Sequence, residues 1–71
     1  MSRAMKAYRI LVHDLTQPEP VVLAAELAGD RRAREFARER LASSRDYAAV
    51  EVWDGPVRLC RLSIDRDRAA A

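Results

Sequence analysis

Polar and apolar residues alternate over residues 6–14, KAYRILVHD. Tyr8, Ile10 and Val12 fall on one side and Arg9, Leu11 and His13 on the other. A period of two predicts a strand. Thr16-Gln17-Pro18-Glu19-Pro20 then bends the chain, because each proline fixes φ and disfavours helix at the residue before it. Residues 21–28, VVLAAELA, admit two readings. Propensity favours helix through Leu-Ala-Ala-Glu-Leu-Ala. The leading Val21-Val22 and the closing Gly29 favour a strand, with Val21, Leu23, Ala25 and Leu27 on one face and Val22, Ala24 and Glu26 on the other. On pattern, the strand is expected.

Over 31–43 the period changes to that of a helix. Ala33, Phe36, Ala37 and Leu41 form an apolar stripe at i, i+3, i+4 and i+8. Asp30 is the expected N-cap. Arg31, Arg34 and Arg38 lie opposite the stripe with Glu35 and Glu39. Arg31–Glu35 and Glu35–Arg38 are the expected pairs, each worth about 0.2–0.5 kcal/mol. Arg40 falls near the apolar side and is expected to snorkel past the sheet edge. Residues 47–53, YAAVEVW, predict a strand with Val50 and Val52 on one face and Tyr47, Glu51 and Trp53 on the other. Asp54-Gly55-Pro56 predicts a hairpin, and its proline points to a three-residue loop. Residues 57–64, VRLCRLSI, predict a last strand with Cys60, Leu62 and Ile64 on one face and Val57, Leu59 and Arg61 on the other. Apolar residues on both parities imply a bulge or a sheet covered on both faces.

The expected fold is therefore α+β: a four-stranded antiparallel sheet in ββαββ order with one helix packed on one face. It forms a single domain over 6–64, with flexible termini at 1–5 and 65–71. The expected core is Tyr8, Ile10, Val12, Leu23, Leu27, Phe36, Ala37, Leu41, Val50, Val52, Cys60 and Leu62. Strand order stays open, since the connection through the helix lets the third strand lie beside the first or the second.

Composition sharpens this picture. The chain has 71 residues, 49% hydrophobic and 34% charged, which is globular and not disordered. A chain this short buries only roughly 60% of its unfolded surface, so a staple or a partner is expected. Cys60 is the sole cysteine and cannot close an intramolecular disulfide. His13 is the sole histidine, which leaves no cluster with zinc-ligand spacing. A compact idealised core and self-association are the remaining routes. No apolar run approaches the ~20 residues of a membrane span, and the N-terminal apolar run lacks a cleavage site. A lone cysteine suits a reducing compartment, so a cytoplasmic protein is expected. The net charge is +2, and every basic residue but Lys6 is arginine. Interleaved acids blunt any field of one sign, and a GC-rich genome is the plain expectation for arginine in place of lysine.

The opening Tyr8-Arg9-Ile10-Leu11-Val12, the charged helix begun at Asp30 with Ala33 and Ala37, and Val50-Glu51-Val52-Trp53-Asp54-Gly55 together carry a resemblance. The chain resembles a group of short uncharacterised ββαββ proteins of alphaproteobacteria carrying a VEVWDG-like segment. The resemblance runs from about Tyr8 to Leu62 and implies a strand at the ambiguous second segment. It implies no activity. This chain departs from the group's Gly- and Asp-rich first turn with Pro18 and Pro20, and from its acidic helix with arginines.

One helix covers one face of a four-stranded sheet and leaves the other open. On strand parity that face carries Leu11, Tyr47, Trp53, Leu59 and Arg61, with Arg9 and Glu51 between them. These residue types mark an interface. The plain alternative has Trp53 packing over the sheet end beside the hairpin. Base stacking on this face lacks the alternating aromatic pair such platforms use, and Glu51 beside Trp53 repels phosphate. A second candidate is the helix, where Arg31, Arg34 and Arg38 could track a nucleic-acid backbone. Glu35 and Glu39 among them suggest a solvated face instead. No catalytic residues are expected. His13 and Asp14 point to opposite faces. Cys60 reads as a small hydrophobe, and two glycines make no phosphate loop. The expectation is a non-catalytic protein-interaction module without cofactor or metal. It is expected to be a homodimer through the open sheet face or an edge strand, with another protein or nucleic acid as further candidate partners and no membrane.

Overall fold

The computed structural model describes residues 4–64; the expected flexibility of 1–3 and 65–71 falls on residues outside these. The order is β1 (Lys6–Asp14), β2 (Val21–Leu27), α1 (Asp30–Ala42), β3 (Tyr47–Asp54) and β4 (Val57–Ser63). The four strands form one sheet in the order β2-β1-β3-β4, with every neighbouring pair antiparallel and α1 on one face. The fold is α+β, with the third strand beside the first. The ambiguous second segment is a strand because β1 offers it a full antiparallel register from Lys6↔Leu27 to Val12↔Val21, and tertiary pairing overrides helix propensity. Asp14 opens the turn before it by accepting from both the backbone N–H (2.8 Å) and hydroxyl (2.7 Å) of Thr16, which hold its carboxyl below the usual range.

The core lies between sheet and helix. Tyr8, Ile10 and Val12 of β1 and Val50 and Val52 of β3 are buried, and Ala33 and Ala37 press against them from α1. Both alanines are fully buried, so the helix backbone rides close to the two central strands. Leu23, Leu27, Phe36, Leu41, Cys60 and Leu62 pack around this centre. Each buried branched side chain contributes about 1.5–3 kcal/mol.

Several local expectations change. Asp30 is the first helical residue rather than the N-cap; Gly29 holds the cap position and supplies no side-chain acceptor. The Asp30 carboxylate accepts instead from the Tyr8 hydroxyl at 2.7 Å and lies 3.7 Å from Lys6 Nζ. Burial pushes the Tyr8 phenol above its ordinary value, and the bond to Asp30 adds to the rise. Glu35 and Glu39 both turn to Arg32, at 3.5 and 3.6 Å, and not to Arg31 or Arg38. Arg40 does not run past the sheet edge alone; its guanidinium stacks over the Phe36 ring at 5.6 Å. The β3–β4 loop has two residues and not three, since Asp54 and Val57 pair directly. Gly55 takes φ 59°, the positive value a type II′ turn requires at its first central position, and proline suits the second.

Two bulges reset side-chain parity. Between β1 and β3 the register passes from His13↔Ala49 to Asp14↔Tyr47 and skips Ala48. Between β3 and β4 it passes from Val52↔Cys60 to Trp53↔Arg58 and skips Leu59. An extra residue on one strand shifts which face the following residues share. Tyr47 and Leu59 therefore pack against the core, and not on the open face where uninterrupted alternation puts them.

Candidate interaction face

The face turned away from α1 is built row by row from the strand registers. One row runs Ala24, Arg9, Trp53, Arg58 across β2, β1, β3 and β4. The next runs Val22, Leu11, Glu51, Arg61. A third places His13 beside Ala49 and Ser63. Of the residues expected there, Leu11, Trp53 and Arg61 belong to this face, and the bulges remove Tyr47 and Leu59.

Glu51 organises the half over β3 and β4. It is only 8% exposed although no helix covers it. His13 Nε2 lies 2.6 Å from its Oε2, and Trp53 Nε1 donates to its Oε1 at 3.0 Å. Arg58 and Arg61 close the ring at 3.7 and 3.9 Å. Burial works to raise the Glu51 carboxyl, but the bonds from His13 and Trp53 outweigh it, and the net displacement is below the usual value. A carboxylate only accepts, so the proton in the short contact sits on His13 Nε2. The indole is thereby pinned in one orientation. His13 is not legible in the sequence as Glu51's partner, because the two stand 38 residues apart and meet only through the β1–β3 register.

The half over β1 and β2 differs. A shallow groove of about 580 Å³ lies there, lined by Ala7, Arg9, Val22, Ala24, Gly55 and Pro56. Arg9 is its one charged wall. Arg9 and Glu26 are both exposed, and among the described residues neither side chain has an ion pair or hydrogen bond. Strand alternation puts Arg9 on this face, but only the full network reveals that it is unpaired.

On α1, Arg31, Arg34 and Arg38 are exposed and share one flank. Because Arg32 takes both glutamates, these three have no acidic partner among the described residues. Cys60 is a half-buried free thiol facing the core. Among the described residues no group of three or more His, Cys, Asp or Glu could hold a metal ion, and no helix is long and apolar enough to cross a membrane. No protein-family model, curated protein or solved structure matches the chain.

Proposed function

We propose that this chain is a non-catalytic, cytoplasmic protein-interaction module that self-associates through the uncovered face of its sheet. The division of that face carries the reading. Over β3 and β4 both arginines, Arg58 and Arg61, find a carboxylate within one copy, the shared Glu51. Over β1 and β2 an apolar groove stands open beside an unpaired cation and an unpaired anion, Arg9 and Glu26. A small sheet with one uncovered face gains stability by giving such a surface a partner. Solution mass by light scattering, from micromolar to millimolar protein at two salt levels, tests it. A dimer is expected; a monomer throughout overturns the reading.

The helix supports a second reading, binding of a nucleic-acid backbone. The specific observation is the stripe Arg31, Arg34 and Arg38, left unpaired by Glu35 and Glu39. Unpaired guanidiniums can each displace a counterion from a phosphate, and affinity then falls steeply with salt. Retention of the chain on single-stranded DNA or RNA at low salt, lost when the three arginines are reversed to glutamate, is the result this reading requires. Absence of retention at low salt removes it.

A further inference from the structure

We propose that two copies join through their β2 edges in an antiparallel, two-fold pairing centred on Ala25, with Arg9 of each copy meeting the partner's Glu26 across Ala24. The inference rests on the self-association reading and places the contact at the β2 edge that borders the uncovered face, rather than on the face itself.

The two edges of the sheet are not alike. β4 carries Arg58 and Arg61 along its length and is broken by the bulge at Leu59, and both devices discourage strand addition. β2 has seven residues in unbroken register with β1, and its one charge is Glu26. Val21 and Val22 on it are 43% and 58% exposed. Its outer backbone edge is free to accept a strand.

Charge selects the register. Side chains alternate between faces, so a two-fold pairing must set like-facing residues opposite one another. Centred on Glu26, the pairing would bring the two glutamates into direct opposition. Centred on Ala24, it would place both arginines in a single row, Arg9–Ala24 continuing into the partner's Ala24 and the partner's Arg9. Centred on Ala25, the row runs Arg9, Ala24, the partner's Glu26 and the partner's Ala7. Arg9 and the partner's Glu26 then stand two strand spacings apart, about 9–10 Å. The residue between them has only a methyl group, so the two long side chains can meet over it. The symmetry repeats the pair, as a two-fold interface must. On the helix side the same register sets Leu23 against the partner's Leu27, both half-buried in one copy. The groove beside Arg9 becomes the space these side chains occupy. The product is one eight-stranded sheet with both helices on the same side.

The test is sedimentation velocity at low salt on the full chain, with Arg9→Glu, Glu26→Arg and the double exchange. Both residues are exposed, so the variants keep the fold, and Trp53 fluorescence checks this. A dimer is expected whose dissociation constant rises at least about tenfold in each single variant and returns to within about threefold in the double variant. Amide exchange on the unaltered chain supplies an independent readout: β2 amides slow as concentration rises while those of β4 do not. A dimer indifferent to Arg9 and Glu26, or a double variant no better than the singles, overturns the register but leaves self-association standing. So does a dimer whose β2 amides ignore concentration. A wild-type monomer overturns both.

Discussion

Glu51 is a buried carboxylate on an uncovered face, and its stability depends on side chains brought from two other strands. Its folded value lies below the ordinary 4.5. A group depressed on folding stabilises the protein above its unfolded value, and that contribution is lost as pH falls through the folded value. Unfolding free energy, followed by Trp53 emission, is therefore expected to decline as pH drops below about 4.5, the ordinary value of the group. Glu51→Gln removes its share of that acid limb, leaving the part due to Asp14, and costs about 1–3 kcal/mol at neutral pH, because Arg58 and Arg61 lose their counter-charge. An acid limb unchanged in the variant would assign it to other carboxylates. The two glycines make a complementary pair. An added Cβ meets nothing within 4 Å at either Gly29 or Gly55, so neither is kept for space. Gly55 has φ +59°. Gly55→Ala is thus expected to cost about 1–2 kcal/mol in chemical denaturation, from backbone conformation alone.

At the scale of elements, most of the architecture is legible in the sequence. Period two and period 3.6 locate the strands and the helix to within a residue or two, since each element buries one face against the same core. Two things are not legible, and both have one cause. Tyr47 and Leu59 follow simple alternation onto the open face, but a bulge beside each reverses their parity. A bulge is set by pairing with another strand, and a strand's own residues do not announce it. The helix cap departs from its local pattern for a related reason: Asp30 has a more distant partner in Tyr8. That leaves the cap position improvable. Gly29 is extended, so Gly29→Ser is expected to stabilise the chain by about 0.5–1 kcal/mol through a new side-chain acceptor and a less flexible unfolded state. The opposite outcome is expected at the buried helix face. Ala37→Leu adds volume where α1 rides on the sheet and should cost about 1–3 kcal/mol, read as a lower denaturant midpoint.

For the whole molecule, an assembled form must show itself in thermal unfolding. If folded copies associate, Tm rises with protein concentration, and the rise should flatten in Glu26→Arg. A Tm constant over a hundredfold range of concentration contradicts the dimer. Chain length suggests a partner but no place for one, because the side chains of Arg9 and Glu26 stand out only once the ion pairs around Glu51 are seen. Strand order is equally hidden in the sequence, and it bears on how the chain is made. Of the four described strands the first in the chain, β1, is a central one, and its second neighbour, β3, follows only after β2 and α1. A nascent chain released as far as Ala42 holds one hairpin and a helix, with Ile10 and Val12 still lacking Val52 and Val50 across the sheet. The core of this domain therefore cannot close on any fragment that stops before β3, and cooperative structure waits for β3 to pair with β1.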